Sequence, residues 1–301
     1  MKLAFKIGIK SILQQIFVVP IAIFYYKIVL AQKQVCNIIV CDHIGDFIYT
    51  MGYVNALKRE KRIQTIRIVS TERMRQLLDL YPDVSCEFKT ISRKWLHIME
   101  IADRYNMGKT AFQSLGDNYF VIPANWFLLG YEGAKRCENN SLKKCIKSYC
   151  FNIQKEVAYE LPTIDNTSLG KEKKVLLCMD AESISWSDAE LYENEFVRKL
   201  CAMGYQVEIN GKDCFFPLRA FPNECNKFSA IVGLRSGILD LAMFSNSKVV
   251  AIYPINYEED MQYYSLKNTN EKKKNVIQYM LNENIQDNIK NIIKIIEGNE
   301  Y

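Results

Sequence analysis

The sequence predicts an α/β protein made of two parallel-sheet halves, and three observations carry that prediction. Short β-rich apolar runs alternate with helix-length amphipathic segments from residue 35 to the C-terminus, which is the pattern of βαβ units. The chain is 301 residues long, about twice the usual domain length of ~150 residues. One polar stretch, Leu161 to Lys174, interrupts the alternation with Pro162, Gly170 and no periodicity, so it reads as the linker between residues 33–162 and 163–301.

In the first half the strand candidates are Cys36 to Cys41, Thr65 to Val69, Ser85 to Phe88 and Tyr119 to Ile122. Between the first two, Phe47, Met51, Val54 and either Leu57 or the stem of Lys58 follow one face of a helix spanning Asp46 to Glu60. A further helix, Thr71 to Leu80, opens with a residue suited to capping and stops before Pro82. The second half restarts with strand Lys174 to Met179, helix Asp188 to Met203 and strands Tyr205 to Ile209 and Ala230 to Leu234. Helix Ser236 to Phe244 and strand Lys248 to Tyr253 follow, and an isoleucine stripe from Ile285 to Ile296 marks a terminal helix.

Composition narrows the function classes. A hydrophobic share of 49% with 13 Gly and 7 Pro provides for real cores and excludes a disordered or collagen-like chain. The net charge of +5 is compatible with phosphate or an anionic membrane surface and too small to indicate nucleic acid. The ten cysteines include no C-x-x-C pair, and several lie inside apolar runs, where free thiols behave as small hydrophobes; a reducing compartment without zinc is the reading. With only two histidines, a multi-histidine metal site is excluded.

At the N-terminus, Lys2, Lys6 and Lys10 at helical spacing precede the eleven-residue apolar run Ile16 to Tyr26. A membrane-crossing helix needs ~20 apolar residues, and Pro20 and Lys27 interrupt this one. Residues 1–32 therefore form either an interfacial helix, with lysines toward lipid phosphates, or a helix packed on its own domain.

Motif searches remove several chemistries. The dinucleotide fingerprint G-x-G-x-x-G, the Walker sequence and the G-x-S-x-G nucleophile elbow are all absent. No Asp-x-Asp occurs that would hold a divalent ion on a diphosphate, so no metal or other cofactor is expected.

Two turns retain chemical potential. The first is Asn37-Ile-Ile-Val-Cys-Asp-His-Ile-Gly-Asp46, a buried strand delivering a glycine-containing turn to a helix start. In an open parallel sheet the carboxyl ends of strands border the ligand crevice, so Asp42, His43 and Asp46 stand close to a bound molecule and Gly45 lets the backbone approach. Alternatively, Asp46 caps the helix. The second is Ser229-Ala-Ile-Val-Gly-Leu-Arg-Ser-Gly-Ile-Leu-Asp240. There a helix start with the Arg235 fork, the Ser236 hydroxyl and room at Gly237 suits a diphosphate. Asp240 either compensates the helix dipole or accepts from a ligand hydroxyl. A third turn, Met179 to Ser185, offers Ser183 and Ser185 as caps or phosphate contacts.

These residues carry a resemblance. The turn His43-Ile-Gly-Asp46 with its helix ending Ala56-Leu57-Lys58, and Gly233-Leu-Arg-Ser-Gly-Ile-Leu-Asp-Leu241 leading to Val249-Val-Ala-Ile-Tyr-Pro254, resemble bacterial GT-B glycosyltransferases related to the heptosyltransferase family. The resemblance implies two Rossmann-like domains facing a cleft, with the nucleotide-sugar donor on the C-terminal domain and a surface-polysaccharide or lipid-linked glycan acceptor on the N-terminal one. It also implies metal-independent, inverting sugar transfer. Asp46 matches the aspartate of the family's Gly-Asp turn, the catalytic base, and Ser236 and Gly237 match the small residues that hold the donor diphosphate. Heptosyltransferases usually have His where Asp240 stands and Asp where Arg235 stands, and the Arg-Ser-Gly form is similar to a polysaccharide-assembly branch. A cytoplasmic enzyme, peripheral on the inner face of the cell membrane, is the resulting expectation. A non-catalytic nucleotide or sugar-phosphate binding protein of the same fold is the alternative.

Overall fold

The computed structural model describes residues 14–104, 119–122, 142–165, 173–181, 184, 186–255 and 275–298. The chain divides into two compact units, Met1–Leu161 and Pro162–Tyr301.

The first unit opens with a helical segment, π-wound at both ends, whose central part is α1 (Val19–Tyr25). It continues through β1 (Val35–Val40), α2 (Ile44–Met51), α3 (Val54–Glu60), β2 (Thr65–Ser70), β3 (Glu87–Thr90), α4 (Arg93–Arg104) and β4 (Tyr119–Ile122). The four strands are all parallel, in the order β3-β2-β1-β4. β1 is buried along its whole length, as expected of a strand covered on both faces. β3 is a half-exposed edge strand, and the Arg67–Glu87 ion pair at 2.7 Å joins residues that are register partners across β2 and β3.

The predicted helix over 46–60 is two helices. Thr50 Oγ1 donates to the Asp46 carbonyl at 2.7 Å, a back-bond that bends helices. The Gly52 carbonyl accepts from the Glu160 amide at 2.9 Å, and the Tyr159 ring occupies the space a side chain at Gly52 would need. The predicted Thr71 to Leu80 helix is a single α-turn, Glu72–Arg75, continued as a 3-10 helix, Gln76–Leu80. α4 is an element that the sequence reading did not include.

The segment over 14–30 is a built part of this unit. Val19, Ala22, Tyr26 and Leu30 join the core formed with Ile39, Val69, Leu96 and Met99. Asn37, buried within β1, donates from Nδ2 to the Tyr26 hydroxyl at 3.3 Å and the Leu30 carbonyl at 3.1 Å. Tyr25 stacks on Trp95 of α4 with centroids 3.8 Å apart. The opposite face stays in solvent: Phe17, Ile21, Phe24 and Ile28, three to four residues apart, are 60%, 48%, 67% and 65% exposed. No helix among the described residues is long and apolar enough to cross a membrane.

The second unit runs β5 (Lys174–Cys178), α5 (Ala189–Ala202), β6 (Gln206–Ile209), β7 (Ala230–Leu234), α6 (Gly237–Ala242), β8 (Lys248–Tyr253), β9 (Val276–Met280) and α7 (Ile285–Glu297). Its five strands are again parallel, in the order β6-β5-β7-β8-β9. The core gathers Val175, Leu177, Phe196, Val232, Ile252 and the α7 stripe Ile289, Ile292 and Ile296. Asn284 caps α7, accepting from the amides of Gln286 and Asp287 at 3.1 and 3.2 Å, and Gly298 ends it in the left-handed region at φ 87°.

Gly233 brings β7 against the end of β5, where a Cβ would press on the Cys178 carbonyl oxygen and lie 2.7 Å from its Cβ. Both neighbours are held by the sheet, so Gly233→Ala is expected to cost about 1–3 kcal/mol through overpacking. Urea unfolding checks this, with a midpoint shift at constant slope as the expected result.

Candidate functional site

Strand order locates a candidate site in each unit. In an open parallel sheet, ligands bind outside the carboxyl ends of strands where the order reverses. The chain turns from β1 toward β2 on one side, while β4 lies on the other, so the reversal in the first unit is at β1. In the second unit it lies between β5 and β7. The turns that leave β1 and β7 are those beginning at Cys41 and Arg235.

At the end of β1 the Cys41 amide still donates to the Ile122 carbonyl of β4 at 3.1 Å. His43 then occupies the N-cap of α2 in extended backbone conformation, with no capping bond from its side chain. Asp46 is therefore a first-turn residue and not the cap. Its carboxylate Oδ2 lies 3.5 Å from Nδ1 of His43, and the two side chains are 8% and 41% exposed respectively. Gly45 is buried between them in the chain. Asp42 accepts from the Thr71 hydroxyl at 2.6 Å, a bond that ties the ends of β1 and β2 together, and lies 3.5 Å from Nε of Arg93.

The electrostatics of this turn are acidic. Hydrogen bonding to Asp46 raises the His43 pKa above its ordinary value, against burial, and the charges of Asp46, Glu100 and Asp42 add to the rise. Burial pushes the Cys41 thiol well up, and the negative charges of Asp46 and Glu100 reinforce it. Cys41 Sγ, a His43 nitrogen and an Asp46 oxygen lie within 4.8 Å of one another, which makes these three the group among the described residues that could hold a metal ion.

In the second unit the Arg235 amide donates to the Ile252 carbonyl of β8 at 3.0 Å, which holds the turn beside two strands. The guanidinium folds back onto its own turn. Its two terminal nitrogens reach the two Asp240 carboxylate oxygens at 3.0 and 2.9 Å, and Nη1 also donates to the Ser236 carbonyl at 2.8 Å. Both side chains are buried, so each neutralises a charge that would otherwise be stranded. An arginine leaving an apolar strand needs a partner, and Asp240 is one within the chain. Ser236 is the N-cap of α6, makes no capping bond with its side chain, and has a buried Oγ without a hydrogen-bond partner. Gly237 follows it at the first position of α6. Ser183 and Ser185 lie outside the described residues.

The structure thus brings His43, Gly45 and Asp46 together in one turn, and Arg235, Ser236, Gly237 and Asp240 in another. Three participants escaped the sequence reading. Cys41 was read only as a strand hydrophobe, although its position directly before Asp42 and His43 was the available signal. Arg93 and Glu100 belong to α4, which Trp95, Leu96, Met99 and Ala102 announce at helical spacing.

The chain is similar to Escherichia coli ADP-heptose LPS heptosyltransferase II, with a TM-score of 0.53 and 14% identity over 88% of this chain and 100% of that one. It is similar also to E. coli heptosyltransferase WaaC with ADP, at a TM-score of 0.54 and 12% identity, covering 88% and 99%. The fold is the GT-B fold of heptosyltransferases. At such identities the likeness is one of fold, and residue roles rest on the geometry above. No protein-family model and no curated protein sequence matches the chain.

The buried Arg235–Asp240 pair generates a stability prediction. Asp240→Ala leaves a buried guanidinium uncompensated and is expected to cost about 3–5 kcal/mol, whereas the double change Arg235→Met with Asp240→Leu regains most of that loss. Denaturant unfolding of the two variants checks it, and equal losses would contradict the pairing.

Proposed function

We propose that this protein is a metal-independent glycosyltransferase that moves a sugar from a nucleotide-sugar donor to a surface-polysaccharide or lipid-linked glycan acceptor, with inversion at the anomeric carbon. The observation that carries the proposal is the buried, unpartnered hydroxyl of Ser236 at the carboxyl end of β7, in a chain whose fold is that of heptosyltransferases. A hydroxyl out of water without a partner costs free energy, and a ligand oxygen would satisfy it. Gly237 beside it adds no side chain to obstruct a phosphate.

In this reading the second unit holds the donor. The diphosphate is the leaving group, and its growing charge is met by the Ser236 hydroxyl in a turn whose shape the Arg235–Asp240 pair maintains. Arg235 then acts by holding the turn, and Asp240 by holding Arg235. Asp46 on the first unit is the base that takes the proton of the acceptor hydroxyl. The solved relatives are described as complexes with ADP or as acting with ADP-heptose, which makes an ADP-linked sugar the first donor to try. A binding protein of the same fold would take up donor without consuming it, so slow release of nucleoside diphosphate distinguishes the two.

A membrane-proximal acceptor also accounts for the N-terminal segment. We infer that the exposed stripe Phe17, Ile21, Phe24 and Ile28 rests on the inner face of the cell membrane, with Lys27 exposed toward lipid phosphates. The buried face of the same helix belongs to the domain core, so removing residues 1–32 would damage the fold; only substitutions on the outer face isolate the membrane contact.

Two outcomes follow. Asp46→Asn is expected to lower turnover by about 10²–10⁴-fold, and Ser236→Ala to weaken donor binding by about 10–100-fold, one hydrogen bond to a charged acceptor; retention of full activity by both would contradict the site. Phe17→Ser with Phe24→Ser should reduce co-sedimentation with anionic vesicles while leaving turnover of a water-soluble donor unchanged, and undiminished sedimentation would rule out the lipid contact.

A further inference from the structure

The carboxyl edge of the first sheet carries a second polar group, beyond β2 and β3, in which Glu72, Arg75 and Thr90 hold one another. Nε of Arg75 lies 2.8 Å from Oε1 of Glu72, its Nη2 donates to the Thr90 hydroxyl at 3.1 Å, and that hydroxyl donates to Oε2 of Glu72 at 2.5 Å. The guanidinium carbon stands 5.0 Å from the centroid of the Phe88 ring, which gives the group an aromatic floor. Phe88 in turn packs against Phe47, the neighbour of Asp46 in α2, with centroids 6.5 Å apart. Stability does not account for the arrangement: Glu72 and Arg75 are 65% and 51% exposed, and exposed ion pairs contribute little.

The three side chains form a shelf of fixed donors and acceptors. The Arg75 fork has more N–H donors than its two bonds use, and each Glu72 oxygen keeps a further lone pair. The Thr90 hydrogen bond and the Arg75 charge hold the Glu72 carboxyl below its ordinary range, so it stays an acceptor. An anion attracted by Arg75 is repelled by Glu72, and a cation meets the reverse. A neutral pair of adjacent hydroxyls suits both, giving a proton to the carboxylate and accepting one from the guanidinium. Because the side chains already hold one another, little of their entropy remains to be lost when a ligand arrives.

Resting on the sugar-transfer reading above, we propose that Glu72, Arg75 and Thr90 form an acceptor subsite that holds a neutral inner sugar of a glycan chain through two adjacent hydroxyls. β3 lies two strands from β1, and neighbouring strands stand about 4.8 Å apart, so the shelf is about 10 Å along the sheet edge from the turn that carries Asp46. One sugar ring does not span that distance. An oligosaccharide does, with its terminal hydroxyl at Asp46 and an inner residue on the shelf. The acceptor class is therefore an oligosaccharide, and the shelf sets preference for chain length without touching the reacting atoms.

The full-length protein is titrated onto a glycan array carrying mono-, di- and trisaccharides of bacterial surface polysaccharides, each in neutral and phosphorylated form. Wild type is expected to bind neutral trisaccharides at least about 10-fold more tightly than monosaccharides, one hydrogen bond to a charged group. Arg75→Ala and Glu72→Gln should each remove most of that advantage. Arg198→Ala, which breaks an exposed ion pair of the same spacing on α5, should leave it intact. Equal wild-type affinity for one and three sugars, a uniform loss at every length in the two variants, or no glycan bound at all would overturn the subsite. A loss on phosphorylated glycans in Arg75→Ala that Glu72→Gln does not share would replace diol recognition with an anion contact. Release of nucleoside diphosphate from ADP-, UDP- and GDP-linked sugars is followed separately with the best-bound trisaccharide. No release would remove the transfer reading and with it the acceptor role, while the array result would still stand as glycan binding.

Discussion

A parallel strand buried on both faces leaves little room for charge along its length, so charged groups collect where it ends. That constraint organises both units. β1 and β7 are buried throughout, and the first residues beyond them are Cys41 to Asp46 and Arg235 to Asp240. Each turn must accommodate charge beside a dry core, and each does so by pairing. His43 meets Asp46 within one helical turn, and Arg235 meets Asp240 across the start of α6.

The two pairings differ in depth, and the difference has chemical consequences. Arg235 and Asp240 are both buried and share two hydrogen bonds, an arrangement that stabilises a shape and offers little to a ligand directly. The group left over there is a hydroxyl. His43 and Asp46 are graded from solvent inward, the imidazole half-exposed and the carboxylate buried.

In the N-terminal segment the structure decides which face packs, a choice that its sequence leaves open. Apolar residues surround this helix, so periodicity alone cannot say which face packs. The polar anchor Asn37 decides: its amide reaches Tyr26 and the Leu30 carbonyl, which turns Val19, Ala22 and Tyr26 inward and leaves Phe17, Ile21, Phe24 and Ile28 outside. Packing and exposure are properties of opposite faces of one element.

The alternation of apolar runs and amphipathic segments determined the α/β class, the parallel central strands and the terminal isoleucine helix, because burial on both faces leaves its mark on every residue of a strand or stripe. β9 escaped and β3 shifted because both are edge strands without a buried run, as the half-buried Gln278 and the exposed Glu87 show. The helix predicted over 46–60 breaks at Gly52 because residues 159–160, a hundred positions away, supply the packing ring and the competing amide. The sequence likewise placed His43, Asp46, Arg235 and Asp240 at strand ends, since that follows from local order. Which of them face each other, and how deeply, depends on side-chain direction and on Glu100 and Arg93 arriving from another helix, and only the tertiary structure decides that.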